Sequence, residues 1–284
     1  GFQRIGDLIW AAADQRTRGF LFGATAGRTT LSGEGLQHQD GSSHLIAATI
    51  PNCRAYDPCF AYELAVIVEY GIQRMYDEKH DEFFYITLMN ENYSHPSLPD
   101  GIADDIIRGM YRYEALGESQ APCVRLLGSG TILKQVIEAA HLITEHFAVR
   151  CEIYSVTSFS ELARDAQTAQ RASRLSSTST RSQVAKHLDG GDPIVCATDY
   201  VRSVPSQISP YVAAPFFVLG TDGFGRSANR QALREFFEVN AAHIAFTAIT
   251  SLIDTGHLPT ESWQRAQELY EIRSAISQSA PWNQ

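Results

Sequence analysis

The chain has 284 residues, 44% apolar and 19% charged, a balance that suits a soluble globular protein with one large domain or two of ordinary size. Its formal net charge of −9 opposes a nucleic-acid-binding surface, which needs a clustered excess of Lys and Arg to neutralise phosphates. The five cysteines are odd in number and scattered without C-x-x-C spacing, so they read as reduced thiols, and neither a leader nor a run of eighteen apolar residues argues for export or membrane crossing.

The opening GFQRIGDLIWAAADQ lacks an initiator Met and already reads as an amphipathic helix, with Ile5, Leu8, Ile9 and Ala12 on one stripe, as expected of a piece of a longer protein. GFLFGAT follows as a buried strand, and the polar, glycine-rich stretch GRTTLSGEGLQHQDGSSH as the loop after it. HLIAATIP is read as the next strand, stopped by Pro51. Asp57-Pro58 is read as the start of a helix over CFAYELAVIVEYGIQRMY, and FFYITLMNENY as a further strand. The prolines and acids of SHPSLPDGIADDIIRGMYRYE mark a linker, 98–118, between a first domain, 1–97, and a second, 119–284. In the second, CVRLLGSG, CEIYSVTS, PIVCATD and FFVLGTD alternate with TILKQVIEAAHLITEHF, FSELARDAQTAQRAS and two closing helices. LSSTSTRSQ, 175–183, reads as a polar surface loop. The order predicts an α/β protein of two tandem three-layer αβα domains with mostly parallel sheets.

In such sheets ligands bind at the carboxyl ends of strands, which selects four loops: the GRTTLSGEGLQHQDGSSH stretch, NENYSHP, GSGT and TDGFGRS. GSGT before a helix could face an anion, but it lacks the dinucleotide fingerprint and the Walker lysine, so it reads as an ordinary strand-to-helix turn. His38, Asp40 and His44 match no standard metal spacing. Glu34, four residues before His38, can tune that imidazole if the loop folds back, and the residues alone leave the loop equally an acid/base site or an ordered, inert one. In TDGFGRS the residue types are accounted for by Ser227 capping the next helix and Arg226 pairing locally. No G-x-S-x-G elbow supports Ser-His-Asp catalysis.

Taken together, GFLFGATAGRTTLSGEGLQHQDGSSH, TIPNCRAYDPCFAYELAVIV, FFYITLMNENYSHPSLP, YSVTSFSELARD and VLGTDGFGRSANRQALREFFEVN resemble the homodimeric type of thiamine-diphosphate-dependent decarboxylase of pyruvate dehydrogenase complexes, over nearly the whole chain. The resemblance implies the later part of a transketolase-like pyrimidine-binding domain followed by the transketolase-like C-terminal domain. It further implies decarboxylation of pyruvate with thiamine diphosphate and magnesium, transfer of the acetyl group to a lipoyl-bearing dihydrolipoyl acetyltransferase, a homodimer, and a bacterial cytoplasm. It gives His38 the substrate-facing role and Glu34 the supporting one. The ligands of the diphosphate and magnesium would lie upstream, so this stretch alone is expected to bind no cofactor stably and to be inactive. Gln39 and Ser42 depart from the family pattern, which often has an acid and a histidine there. Another two-oxoacid decarboxylase, a transketolase, or a non-enzymatic dimerisation or partner-binding module are the competing readings.

Overall fold

The computed structural model describes residues 2–24, 26–31, 33–177, 179–272 and 280–283. Two sheets form. The first is parallel, β1 (Phe20–Ala24), β2 (Cys53–Tyr56) and β3 (Phe83–Leu88) in the order β1-β3-β2. The second has five strands: β4 (Met110–Leu116), β5 (Cys123–Gly128), β6 (Arg150–Val156), β7 (Ile194–Ala197) and β8 (Phe216–Leu219), ordered β4-β6-β5-β7-β8. All its pairs are parallel except β4 with β6.

Alternation along the strands builds the layers of the second domain. Val124, Leu126, Ile153 and Val195 join one buried cluster, whereas their neighbours Leu127, Tyr154, Ile194 and Cys196 join another on the opposite face. The first face is covered by α5 (Ile132–His146) and α9 (Ala241–Asp254). In α5, Ile132, Leu133, Val136, Ala139, Ala140 and Ile143 recur at helical spacing and are all buried. The other face carries α6 (Phe159–Leu175) and α7 (Gln183–Leu188), with Phe159, Leu162, Val184 and Leu188 in the core. The chain closes with α8 (Arg230–Phe236), α9 and α10 (Ser262–Leu269). Arg230–Asp254 is long and apolar enough by composition to cross a membrane, but half of its most apolar window is buried in this core.

The structure corrects three expectations. HLIAATIP is not a strand: α2 (Ser43–Ala48) forms because the Asp40 carboxylate accepts the Ser42 and Ser43 N–H groups at 3.0 Å each and so supplies a helix start. The strand is the next segment, CRAY. The opening helix, α1 (Gly6–Asp14), buries Ile9 and Ala13 and leaves Leu8 71% exposed, so its inward stripe is rotated from the expected one. The stretch 98–118 contains α4 (Ala103–Ile107) and β4; Met110 and Tyr111 are buried and pair with Val156 and Ser155, which makes this segment the antiparallel edge of the second sheet.

The helix α3 (Ala61–Ile72) starts three residues after Pro58, because Glu63 caps it with its own carboxylate, accepting the Phe60 N–H at 3.0 Å and the Cys59 N–H. Glu63 is wholly buried and reaches into the second domain, where Tyr111 Oη and Ser155 Oγ donate to it at 2.6 Å each. One carboxylate thus serves a helix start and two strands of the other sheet. Glu63→Ala leaves four donors without an acceptor and should lower stability by on the order of 3–5 kcal/mol in urea unfolding, whereas Glu63→Gln, which can reorient toward the hydroxyls, should lose about 1–2 kcal/mol.

Candidate functional site

The carboxyl ends of the two sheets face each other, and the loops that leave them interlock. The stretch after β1 lies against the loop after β7. Asp199 is wholly buried there; its Oδ1 accepts Thr29 N–H and Oγ1–H at 2.7 Å each, and its Oδ2 accepts Thr30 N–H at 3.1 Å and Oγ1–H at 2.7 Å. Gly27, at φ +86°, lets the backbone pass the Asp199 carboxylate where a side chain would collide with it. Arg28 donates to the carbonyls of Thr221 and of Gly223, the latter at 2.6 Å, so it crosses to the loop after β8. Beside it, Arg230 Nε donates to Thr30 O at 2.7 Å and Arg234 pairs with Glu91 of the loop after β3.

All four loops selected from the sequence are therefore brought together, with that after β7 as a fifth. The GSGT turn faces no free anion position. Gly130 N–H donates to Asp57 O at 3.0 Å, and a Cβ on Gly130 would stand 2.7 Å from Asp57 Oδ2, so a carboxylate of the first domain already occupies the start of α5. Asp57 accepts Thr87 Oγ1–H at 2.6 Å, and Thr87 Oγ1 lies 3.0 Å from His44 Nε2. Burial pushes the Asp57 carboxyl up to about 7, against the opposing pull of its hydroxyl bonds. The same burial lowers His44 to about 4, with Asp40 acting in the other direction. The three groups form a line from imidazole through hydroxyl to carboxyl.

The Glu34 and His38 pair stands at the open edge of this assembly. Gly35 begins the short 3₁₀ turn Leu36–His38, which returns His38 Nδ1 to 3.4 Å from Glu34 Oε2, with the two side chains 59% and 51% exposed. Asp40 and His44 do not converge on them: Asp40 holds the start of α2, and His44 is buried against Thr87 and Tyr200. Ser227 does not cap α8. Asn229 does, accepting Ala232 N–H at 2.9 Å, and Ser227 Oγ instead donates to Glu34 O at 2.7 Å. Asp199 is the residue that sequence reasoning missed; the signal for it was present in PIVCATD, a buried strand whose polar end is an acid.

The described portion is a transketolase-like α/β protein. It superposes on transketolase from Leishmania mexicana with a TM-score of 0.60 and 17% identity over 84% of this chain and 32% of that one. A split-gene transketolase solved as an inactive beta4 tetramer gives a TM-score of 0.52 and 16% identity over 83% of this chain and 67% of that one. Residues 1–96 match the pyruvate dehydrogenase E1 component middle domain and residues 109–240 the transketolase-like C-terminal domain. Pyruvate dehydrogenase E1 components from Cupriavidus necator and Pseudomonas aeruginosa are 49% and 51% identical over 276 residues, and that from Escherichia coli K12 is 49% identical over 261. The chain is similar to these E1 components across two successive domains. It spans 96% of its own length in the first two matches but 31% of the length of those relatives.

The buried pair sets a pH signature. Asp57 is raised, so the folded protein keeps a proton that the unfolded chain loses, and its contribution to stability declines as pH rises from about 4 to about 7. His44 is lowered, so its contribution is lost as pH falls from about 6.5 to about 4. The two oppose each other over nearly the same window. Asp57→Asn should expose the histidine alone: relative to the unsubstituted protein, stability in urea should rise from pH 4 to pH 7 by up to about 1.4 kcal/mol per pH unit. A difference that is flat across that range would show that the carboxyl titrates normally.

Proposed function

We propose that the chain is the part of a pyruvate dehydrogenase decarboxylase component that presents His38 to the substrate. In the parent enzyme, pyruvate is oxidatively decarboxylated with thiamine diphosphate and the acetyl group passes to the lipoyl group of a dihydrolipoyl acetyltransferase. The observation that carries the reading is the exposed Glu34–His38 pair on a loop braced from both domains. With Nδ1 engaged by Glu34, Nε2 is the nitrogen left for a substrate oxygen. When that ring is protonated, its Nε2–H can donate to an oxygen that gains negative charge during reaction. We further propose that the parent is a homodimer of the bacterial cytoplasm, in keeping with the bacterial relatives.

We infer that most ligands of thiamine diphosphate and magnesium belong to the rest of the parent chain. In support, no group of three or more His, Cys, Asp or Glu converges among the described residues. Arg28 and Arg230 donate to backbone carbonyls and Arg234 pairs with Glu91. When bound in the parent, the cofactor supplies the carbanion chemistry, and the residues described here orient the substrate and hold a proton.

Two outcomes test the reading. The purified 284-residue chain should release no carbon dioxide from pyruvate even with thiamine diphosphate and magnesium added, if the groups that position them lie in the rest of the parent as proposed. That expectation is in keeping with the solved split-gene relative described as inactive. In the full-length parent, His38→Ala should lower kcat by about 10²-fold or more, with cofactor affinity nearly intact, because it removes one positioned acid. Unchanged turnover would remove His38 from the mechanism.

A further inference from the structure

The turn that carries His38 is anchored at both ends by one segment of the second domain. On the far side, Gln39 is 6% exposed and its amide meets Arg226 twice: Nε2 donates to Arg226 O at 2.6 Å, and Arg226 N–H donates to Oε1 at 2.8 Å. The same Nε2 donates to Leu31 O at 3.3 Å, which ties the turn back to its own loop. In this chain the amide serves the place by both donating and accepting; an ionised carboxylate would set one oxygen against the Leu31 and Arg226 carbonyls. Gly225 makes the approach possible, since a Cβ there would lie 3.0 Å from Gln39 Cβ. On the near side, Ser227 Oγ donates to Glu34 O at 2.7 Å and Gly33 N–H to Ala228 O at 3.0 Å. The first domain's sheet makes none of these bonds.

We propose that Gln39 and Ser227 are positioning residues for His38, so that the 226–228 segment of the second domain, rather than the strand the loop leaves, sets where the imidazole stands. The inference rests on the reading of His38 given above. Gln39 is the next residue along the chain, about 3.8 Å away between Cα atoms, so a shift of its anchor moves His38 directly. A displacement of about 1 Å at a reacting group can lower a rate by ~10²-fold.

The test uses the full-length parent enzyme with Gln39→Ala, Gln39→Glu, Ser227→Ala and His38→Ala, and the Gln39→Ala/His38→Ala pair, with thermal unfolding as the check that each folds. Gln39→Ala and Ser227→Ala should each lower kcat for pyruvate by about 10- to 100-fold, with KM and cofactor affinity changed by less than about threefold. Gln39→Glu, which keeps an acceptor for Arg226 N–H and loses the donor, should fall between Gln39→Ala and the unsubstituted enzyme. In the His38→Ala background, Gln39→Ala should lower kcat by less than about twofold, because the group it positions is gone. A full additive loss in that background, or unchanged kcat for both single anchors, overturns the proposal while leaving His38 in place. Wild-type turnover by His38→Ala overturns the reading of the site itself. Should Gln39→Ala fail to fold, Ser227→Ala, singly and with His38→Ala, decides the matter in the same way.

Discussion

Two sheets that meet at the carboxyl ends of their strands must find partners for each other's polar loops. A strand end exposes backbone N–H and C=O groups, and burying them unpaired would be costly. Asp199 answers most of this demand at one point. Its two oxygens accept four donors from Thr29 and Thr30, and its own carbonyl accepts Arg28 N–H and Thr221 Oγ1–H. From that junction the first loop can run outward in one direction only, along the 221–228 segment. Glu63 and Asp57 repeat the device at neighbouring strand ends, each a buried acid of the first domain held by groups of both.

The chemistry follows from what this interlock leaves uncovered. His38, Asp40 and His44 do not converge, because Asp40 starts a helix and His44 is buried. Glu34 and His38 remain outside, paired with each other on a short turn tied to the second domain. A mobile imidazole would sample many positions; one braced by Gln39 and Ser227 is preorganised, which is what an acid aimed at a developing charge requires. On the proposed reading, the second domain belongs to the site although it supplies none of the reacting groups.

Much of the fold was legible because it rests on local periodicity. The parallel strands of both sheets other than CRAY announced themselves as apolar runs, and α5 and α6 as helical stripes. The errors fell where a distant or capping group decides local structure. HLIAAT became helical through Asp40, and MYRYEAL became a sheet edge because Val156 and Ser155 wait for it in the second sheet. The Glu34–His38 approach was legible from a spacing of four with Gly35 between. The role of Ser227 was not: a serine before a helix reads as a cap, and only the fold brings Glu34 O to it across 193 positions.

The His38 loop and the 221–228 segment form one unit. Native-state hydrogen exchange of the amides of Gly33 and Arg226, each bonded across the junction, tests it most directly. If the account is right, both exchange through the same opening, with matching free energies, and both lose protection together when Ser227 is replaced by Ala. Exchange of Gly33 at the rate of an unprotected loop while Arg226 stays protected would contradict it.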